Sequence, residues 1–399
     1  MKTPSYILLI FFICACQASA DRHDGSPNFL LPATKTYSKS LSNADSIKYA
    51  NAAQDYYNMH LGNRRFNGGM VVAKNGVIVF EKYEGFKDLR SKDTLTAQTP
   101  FHIASTSKTI TGMAILRLVQ QGKIKLDDSL THFFPQVAYK GITIEMLLSH
   151  RSGLPNYLYY FESNGWDRNK MLTNNDVLQS LFTTKAGATS RPGTRFQYCN
   201  TNFVLLALVI EKASGMSYAQ FLQKEFFDPL QMNNTYVYSL TNAATATPSF
   251  NANGSLWKLD QFDLTYGDKN IYSTPRDLLK WDRALSNGEV INEALLDSAY
   301  MPRSNEKRSI HNYGLAWRML LLPNGKKVIY HNGRWHGFNA MFARLIEDDA
   351  TIIILGNRYN SNIYEARKMY DIFGNYYGNG SDDEEDDDAA TTAKSVVLK

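Results

Sequence analysis

Apolar and polar residues follow one another along the chain with a period that changes twice. Met70-Val71-Val72-Ala73 and Val77-Ile78-Val79-Phe80 are short apolar runs on either side of Asn75-Gly76. Asn-Gly between two such runs predicts a β-hairpin, because both turn residues need positive φ. From Ile110 the period lengthens. Ile110, Met113, Ala114, Leu116, Leu118 and Val119 recur at helical spacing, and Gly122 ends the run. Asp45 to about Leu61 reads as a helix as well. From residue 125 to 270 helix candidates dominate, with long loops between them: Ile142 to His150, Asn174 to Phe182, Phe203 to Lys212 and Ser217 to Phe226. Ser273-Thr274-Pro275-Arg276-Asp277 is a helix start, with hydroxyl caps, Pro at the first helical position and an acid in the first turn. Strands then return. Tyr313 to Leu322 and Lys327 to His331 flank Pro323-Asn324-Gly325, and Phe338 to Ile346 and Thr351 to Leu355 flank Glu347-Asp348-Asp349. Asn362 to Phe373 predicts a closing helix.

Sheet first, helices in the middle and sheet again predict an α/β fold. We expect an antiparallel β-sheet flanked by helices, built from residues 45–124 and 271–375. The mostly α-helical stretch 125–270 reads as an insertion into that domain. Hydrophobic content of 44% and charged content of 20% over 399 residues suit a chain with an ordinary globular core.

The two ends have a different character. Lys2 followed by the apolar stretch Tyr6 to Cys16 predicts a secretory signal, too short to anchor in a bilayer as a helix. Ala18-Ser19-Ala20 fits ordinary cleavage, giving a signal over 1–20. Ile13-Cys14-Ala15-Cys16 resembles a bacterial lipobox, which makes 1–16 the signal and Cys16 the lipidated residue. Residues 17–44, rich in Ser, Pro, Asn and Asp, read as a tether. Asp382 to Asp388 is a block of seven acids within a tail, 376–399, that we expect to be disordered. Setting those acids aside raises the formal charge from +5 to +12, so the rest is basic. No dense Lys/Arg run with interleaved aromatics is present, which argues against nucleic acid as a partner. The expected location is across the inner membrane of a bacterium, as a periplasmic protein or an outer-membrane lipoprotein with a lipid anchor. Of three cysteines only Cys199 lies in the core domain, so no disulfide framework is expected and Cys199 reads as a buried structural thiol.

Chemistry gathers at Phe101-His102-Ile103-Ala104-Ser105-Thr106-Ser107-Lys108. Positions i and i+3 of a helix share a face, with Cβ atoms roughly 5–6 Å apart. Lys108 can therefore reach the Ser105 hydroxyl, a poor nucleophile until a base takes its proton. Ser-x-x-Lys occurs three times, at Ser105, Ser255 and Ser304, but only the first copy opens a long apolar helix. Tyr198-Cys199-Asn200 lies in a loop leading to a helix. A phenol near cations loses its proton more readily, and Asn200 can both donate and accept. Tyr-x-Asn also recurs at Tyr49, Tyr56, Tyr330 and Tyr377, so one copy carries little weight. The third piece is Tyr330-His331-Asn332-Gly333-Arg334-Trp335-His336-Gly337, a strand whose glycine lets a ligand approach the backbone.

Taken in order, Ser105-x-x-Lys108, Tyr198-x-Asn200 and His331-x-Gly333 resemble the serine β-lactamase and penicillin-recognising DD-peptidase superfamily. The branch closest in pattern is that of class C β-lactamases, D-aminopeptidases and esterases. Leu147 to Pro155, Asn200 to Phe203, Pro229 to Met232 and Ser273 to Leu278 add to the likeness, which covers about residues 45–375. The resemblance implies a β-lactamase/transpeptidase-like fold with Ser105 as the acylated nucleophile. It implies that Lys108 and Tyr198 share the base role and that Asn200 holds Lys108 and a substrate amide. His331 and Gly333 would line the cleft, and the backbone N–H groups of Ser105 and Arg334 would form the oxyanion hole. Neither cofactor nor metal is implied. The chain departs from the pattern after the third motif, where Asn332, Arg334, Trp335 and His336 should narrow the cleft.

Three functions follow as expectations. The first is an envelope serine hydrolase acting on an ester, amide or D-amino-acid peptide, with a small molecule or a peptidoglycan-type peptide as substrate. The others are a β-lactamase proper and a non-catalytic binding or sensor protein on the same fold. The absence of Gly-x-Ser-x-Gly argues against an α/β-hydrolase elbow. The absence of His-Glu-x-x-His argues against a zinc mechanism. His331 and His336, the closest histidine pair of this region, read as parts of one strand-end loop.

Overall fold

The computed structural model describes residues 40–62 and 64–376. The signal, Cys16, most of the tether and the acidic block lie outside the described residues. Helix α1 (Asn43–Tyr57) leads into the hairpin of β1 (Gly68–Lys74) and β2 (Val77–Glu84). Asn75 and Gly76 turn it at φ +53° and +76°, as Asn-Gly requires. Then come α2 (Ser107–Gln120), α3 (Tyr157–Ser163), α4 (Asn200–Ser214) and α5 (Pro275–Ser286). The remaining strands of the main sheet are β3 (His311–Tyr313), β4 (Arg318–Leu321), β5 (Lys327–Trp335), β6 (Phe338–Leu345) and β7 (Ala350–Gly356).

These seven strands form one antiparallel sheet in the order β3-β4-β5-β6-β7-β1-β2. The first hairpin therefore pairs with the last strand, Met70 opposite Ile354. Successive side chains of a strand point to opposite faces. Val71, Ala73, Ile329, Phe342, Ile353 and Leu355 enter a core beneath α2, α4 and α5. Met70, Val72, Val328, Tyr330, Met341, Ile352 and Ile354 enter a second core beneath α1 and the C-terminal turns. Burial on both faces explains why Ile352 to Leu355 of β7 is an unbroken apolar run. Leu130, Leu147, Phe203 and Phe221, all from the middle stretch, belong to the first of these cores. No helix among the described residues is long and apolar enough to cross a membrane.

Two local expectations are corrected. Tyr313 to Leu322 is not one strand. It folds back at Gly314–Trp317, with the Gly314 N–H bonded to the Trp317 carbonyl at 2.8 Å and Ala316 at φ +68°. The reason is burial: Leu315, Ala316 and Trp317 are drawn into the helix layer. The closing segment Ser361–Ile372 forms 3₁₀ turns instead of an α-helix. Its buried Ile363, Ala366 and Met369 recur every third residue, the repeat of a 3₁₀ helix.

Candidate active site

Ser105 lies in a 3₁₀ turn, Ala104–Thr106, that runs into α2. Ala104 has φ +48°, a left-handed conformation that costs a non-glycine residue about 1–3 kcal/mol. A buried imidazole holds it there. His102 Nδ1 accepts the Ala104 N–H at 3.0 Å, so Nε2 carries the proton and donates to Asn270 Oδ1 at 2.8 Å. Burial pushes His102 down to about 3, so the ring is neutral.

One helical turn on, Lys108 is fully buried. Its ammonium donates to Ser105 Oγ at 2.9 Å and to the Asp268 carbonyl at 2.7 Å. It also faces the rings of Tyr198, 5.1 Å from the centroid, and Phe203, at 5.7 Å. The structure thus brings Ser105, Lys108 and Tyr198 into one place from two distant parts of the chain. Tyr198 is half-buried at the entrance to α4, its ring 4.3 Å from that of His150 and 5.2 Å from the Arg318 guanidinium. Asn200 is the first residue of α4. Among the described residues, neither the Tyr198 hydroxyl nor the Asn200 side chain makes a hydrogen bond, and both Lys108 bonds go elsewhere.

Strand β5 supplies the third side. β4 pairs with it only from Lys327 to Tyr330. Beyond that point the Ser105 turn packs against it, and Thr106 Oγ1 donates to the His331 carbonyl at 3.2 Å. A Cβ on Gly333 would meet the Ile103 carbonyl oxygen at 2.3 Å and the Ser105 nitrogen at 3.1 Å. Only a glycine allows the strand to come this close. His331 is buried, and burial, then Arg318 and Lys108, push it well below the usual imidazole range. It is neutral: Nδ1 donates to the Asn332 carbonyl at 2.7 Å, and Nε2 accepts from the Tyr313 hydroxyl at 3.4 Å.

The residues after Gly333 do not crowd the cleft as expected. Arg334 follows the alternation of Val328 and Tyr330 onto the other face of the sheet. There its guanidinium lies 4.6 Å from the Tyr359 ring centroid. Trp335 does face the helices, but it is tied down: its indole N–H donates to Asp263 Oδ1 at 2.6 Å. His336, at φ +52° in the hairpin turn, meets both Asp263 oxygens at 3.0 Å. His331 and His336 are therefore in separate networks. Asp260, Asp263 and His336 bring ligand-type atoms within 4.8 Å of one another. Asp263 spends its oxygens on Trp335, His336 and the Asp260 N–H at 2.5 Å, the contacts of a clamp on the hairpin.

Several neighbours of the site were not anticipated from the sequence. His150 Nδ1 accepts the Cys199 N–H at 3.1 Å and so orders the turn that presents Tyr198. Burial, then Lys108, His331 and Arg318, keep His150 neutral. Cys199 is a free, buried thiol pushed up to about 11 by burial, with Sγ donating to the Leu154 carbonyl at 3.4 Å. Arg318 and Asp268-Lys269 carry charge into the same region. An opposite-charge pair set just before the apolar Ile271-Tyr272 was the one available hint for the latter.

A hydroxyl bonded to a buried amine, beside a phenol and a strand with a glycine at its closest approach, is a serine-hydrolase arrangement on an antiparallel α/β fold. A family model described as Beta-lactamase matches residues 54–373, and the chain belongs to that family. It is 32% identical over 319 residues to penicillin-binding protein 4* of Bacillus subtilis (strain 168), covering 75% of this chain and 70% of that one. Protein flp of Staphylococcus aureus (strain MW2) is 26% identical over 306 residues, 72% of this chain and 59% of flp. Among solved structures, a penicillin-binding protein from Bacillus halodurans superposes with a TM-score of 0.68 at 22% identity, covering 80% of this chain and 98% of that one. A D-amino acid amidase from Ochrobactrum anthropi SV3, complexed with L-phenylalanine amide, gives 0.66 at 22% identity with the same coverage. At such identities these two establish the fold.

Proposed function

We propose that the protein is a serine hydrolase that forms an acyl-enzyme on Ser105 with an ester, amide or D-amino-acid peptide. The observation that carries this reading is the 2.9 Å bond between Lys108 Nζ and Ser105 Oγ, with the Tyr198 ring centroid 5.1 Å from that same Nζ. With the Lys108–Tyr198 pair short of one proton, as amine and phenol or as ammonium and phenolate, Ser105 Oγ attacks the substrate carbonyl and its proton passes to the pair. The backbone N–H groups of Ser105 and Arg334 receive the developing oxyanion. Removing one such donor costs about 10²–10³ in rate. Collapse breaks the bond to the leaving group, which takes the same proton. A water molecule then attacks the ester of Ser105 and passes its proton to the pair; the bond from Ser105 Oγ to the acyl carbon breaks, Oγ takes that proton back from the pair, and the acid is released. Asn200 would meet a substrate amide, and neutral His331 orients Tyr313 and the strand without adding charge. Catalytic hydrogen bonds commonly close only around bound substrate, which is when Tyr198 would engage. The signal-like N-terminus supports an envelope location, either with Cys16 as the lipid-bearing residue or with ordinary cleavage after Ala20.

Intact-mass measurement after exposure to a fluorophosphonate and, separately, to a penicillin tests the reading. The expected result is one adduct, mapped to Ser105 and absent in Ser105→Ala. A folded wild-type protein unmodified by both reagents would overturn it and favour a binding protein instead.

A further inference from the structure

The carbonyl that receives Lys108 belongs to a dipeptide, Asp268-Lys269, whose two charged side chains are both buried. Lys269 is 4% exposed at its side chain. Its ammonium donates to the Tyr157 hydroxyl at 2.6 Å and to Thr265 Oγ1, lies 3.5 Å from Asp268 Oδ2, and sits 4.6 Å from the Trp335 ring centroid. Tyr157 closes the circuit by donating to Asp268 Oδ2 at 2.9 Å. Asp268 Oδ1 is buried with no hydrogen-bond partner. One cation thus joins α3, the turn carrying the Asp268 carbonyl, and the end of β5.

Such a group is costly. Burying a charge carries a penalty of several kcal/mol, and an apolar side chain of similar volume often serves stability as well or better. Burial lowers Lys269, and the Asp268, Asp263 and Asp260 carboxylates oppose that while the Lys108 ammonium adds to it. The turn has further anchors on either side: Thr111 Oγ1 donates to the Gly267 carbonyl at 2.6 Å, the Ile271 N–H to Ser107 Oγ at 3.3 Å, and the Asn270 side chain bonds His102 Nε2 at 2.8 Å. The Asp268 carbonyl between those anchors fixes where the Lys108 amine points.

We propose that Lys269 is a positioning residue: with Tyr157 and the Asp268 carboxylate it sets the carbonyl that aims Lys108 at Ser105. This rests on the acyl-enzyme reading above. Misplacement of a reacting group by about 1 Å can cost roughly 10²-fold in rate.

The test is pre-steady-state acylation by a chromogenic ester in wild type, Lys269→Met and Tyr157→Phe. Lys269→Met is expected to acylate about 10–100-fold more slowly with KM within about twofold of wild type. A merely structural lysine would lower the folded fraction or alter KM and leave the rate constant of the folded protein intact. Acylation by folded Lys269→Met within twofold of wild type would overturn the proposal. Should Lys269→Met fail to fold, Tyr157→Phe, which removes one hydroxyl, carries the decision. A loss of threefold or more at constant KM is expected, and an unchanged rate would overturn it. A wild type that acylates with nothing defeats the parent reading, and this one with it. A defect confined to the comparison of variants bears on Lys269 alone.

Discussion

Gly333 lies so close to Ile103 that a Cβ on it would stand 2.3 Å from the Ile103 carbonyl oxygen. The contact joins the strand that ends the chain's third motif to the turn that begins its first. Ser105 is the next-but-one residue after Ile103, so the spacing of strand and nucleophile is set here by the lack of a side chain.

Gly333→Ala is therefore expected to push β5 away from the Ser105 turn. The cost in stability should be about 1–3 kcal/mol, the usual range for an overpacked site. Acylation should fall further than stability does, because both proposed oxyanion donors flank the contact. Urea denaturation and fluorophosphonate labelling rates, read together, check this; a well-folded Gly333→Ala with wild-type labelling would contradict it.

Lys108→Met removes the amine and keeps most of the volume. Loss of a positioned base typically costs about 10²–10⁴ in rate. The expected result is a labelling rate lower by that amount in a protein that still folds. Labelling within a few-fold of wild type would leave Tyr198 as the sole base.

Asp282 and Arg344 form a buried ion pair beneath α5, with Thr351 and Ser286 as further partners. Burial pushes the Asp282 carboxyl up, but Arg344 and Arg283 outweigh it and hold it below the usual range. Arg344→Met would take the partner from Asp282 Oδ1 while Arg283 stays on Oδ2 at 2.6 Å, and should cost about 3 kcal/mol, the low end for breaking a buried pair. Because the folded-state value is depressed, the stabilisation is present above the unfolded value near 3.9 and is lost as pH falls through the folded one. Denaturation midpoints of Arg344→Met and wild type should therefore converge at the acid end; a constant gap would contradict this.

His102, His150 and His331 are all buried and held neutral below their ordinary value. Unfolding exposes them, and below about pH 6.5 the unfolded chain takes up protons that the folded one refuses. Stability should thus be level above about pH 7 and decline on acidification from pH 6.5 toward 3. Urea midpoints at pH 7.5 and 5.0 check the sign; a higher midpoint at pH 5.0 would refute it.

Much of this was legible in the chain. Asn75-Gly76 announced its hairpin because only a few residues tolerate that turn. Ser105 and Lys108 announced their contact because three residues make one turn of helix. Both signals are local. The fold-back at Gly314–Trp317 was hidden, since an apolar run looks alike whether it continues as a strand or dives into a helix layer. The direction of Arg334 was hidden for a related reason: alternation says which residues share a face, and the packing of the sheet says which face meets the cleft.

By itself the sequence determined most of the elements, the binary pattern of the sheet and the order of three short motifs, because each depends on residues within a few positions of one another. Tertiary structure alone decided that the Asp268 carbonyl receives Lys108, that His150 and Arg318 face Tyr198, and that His331 is neutral. Those outcomes come from burial and from charges brought together across dozens to hundreds of residues. No local window records which groups will share a dry interior.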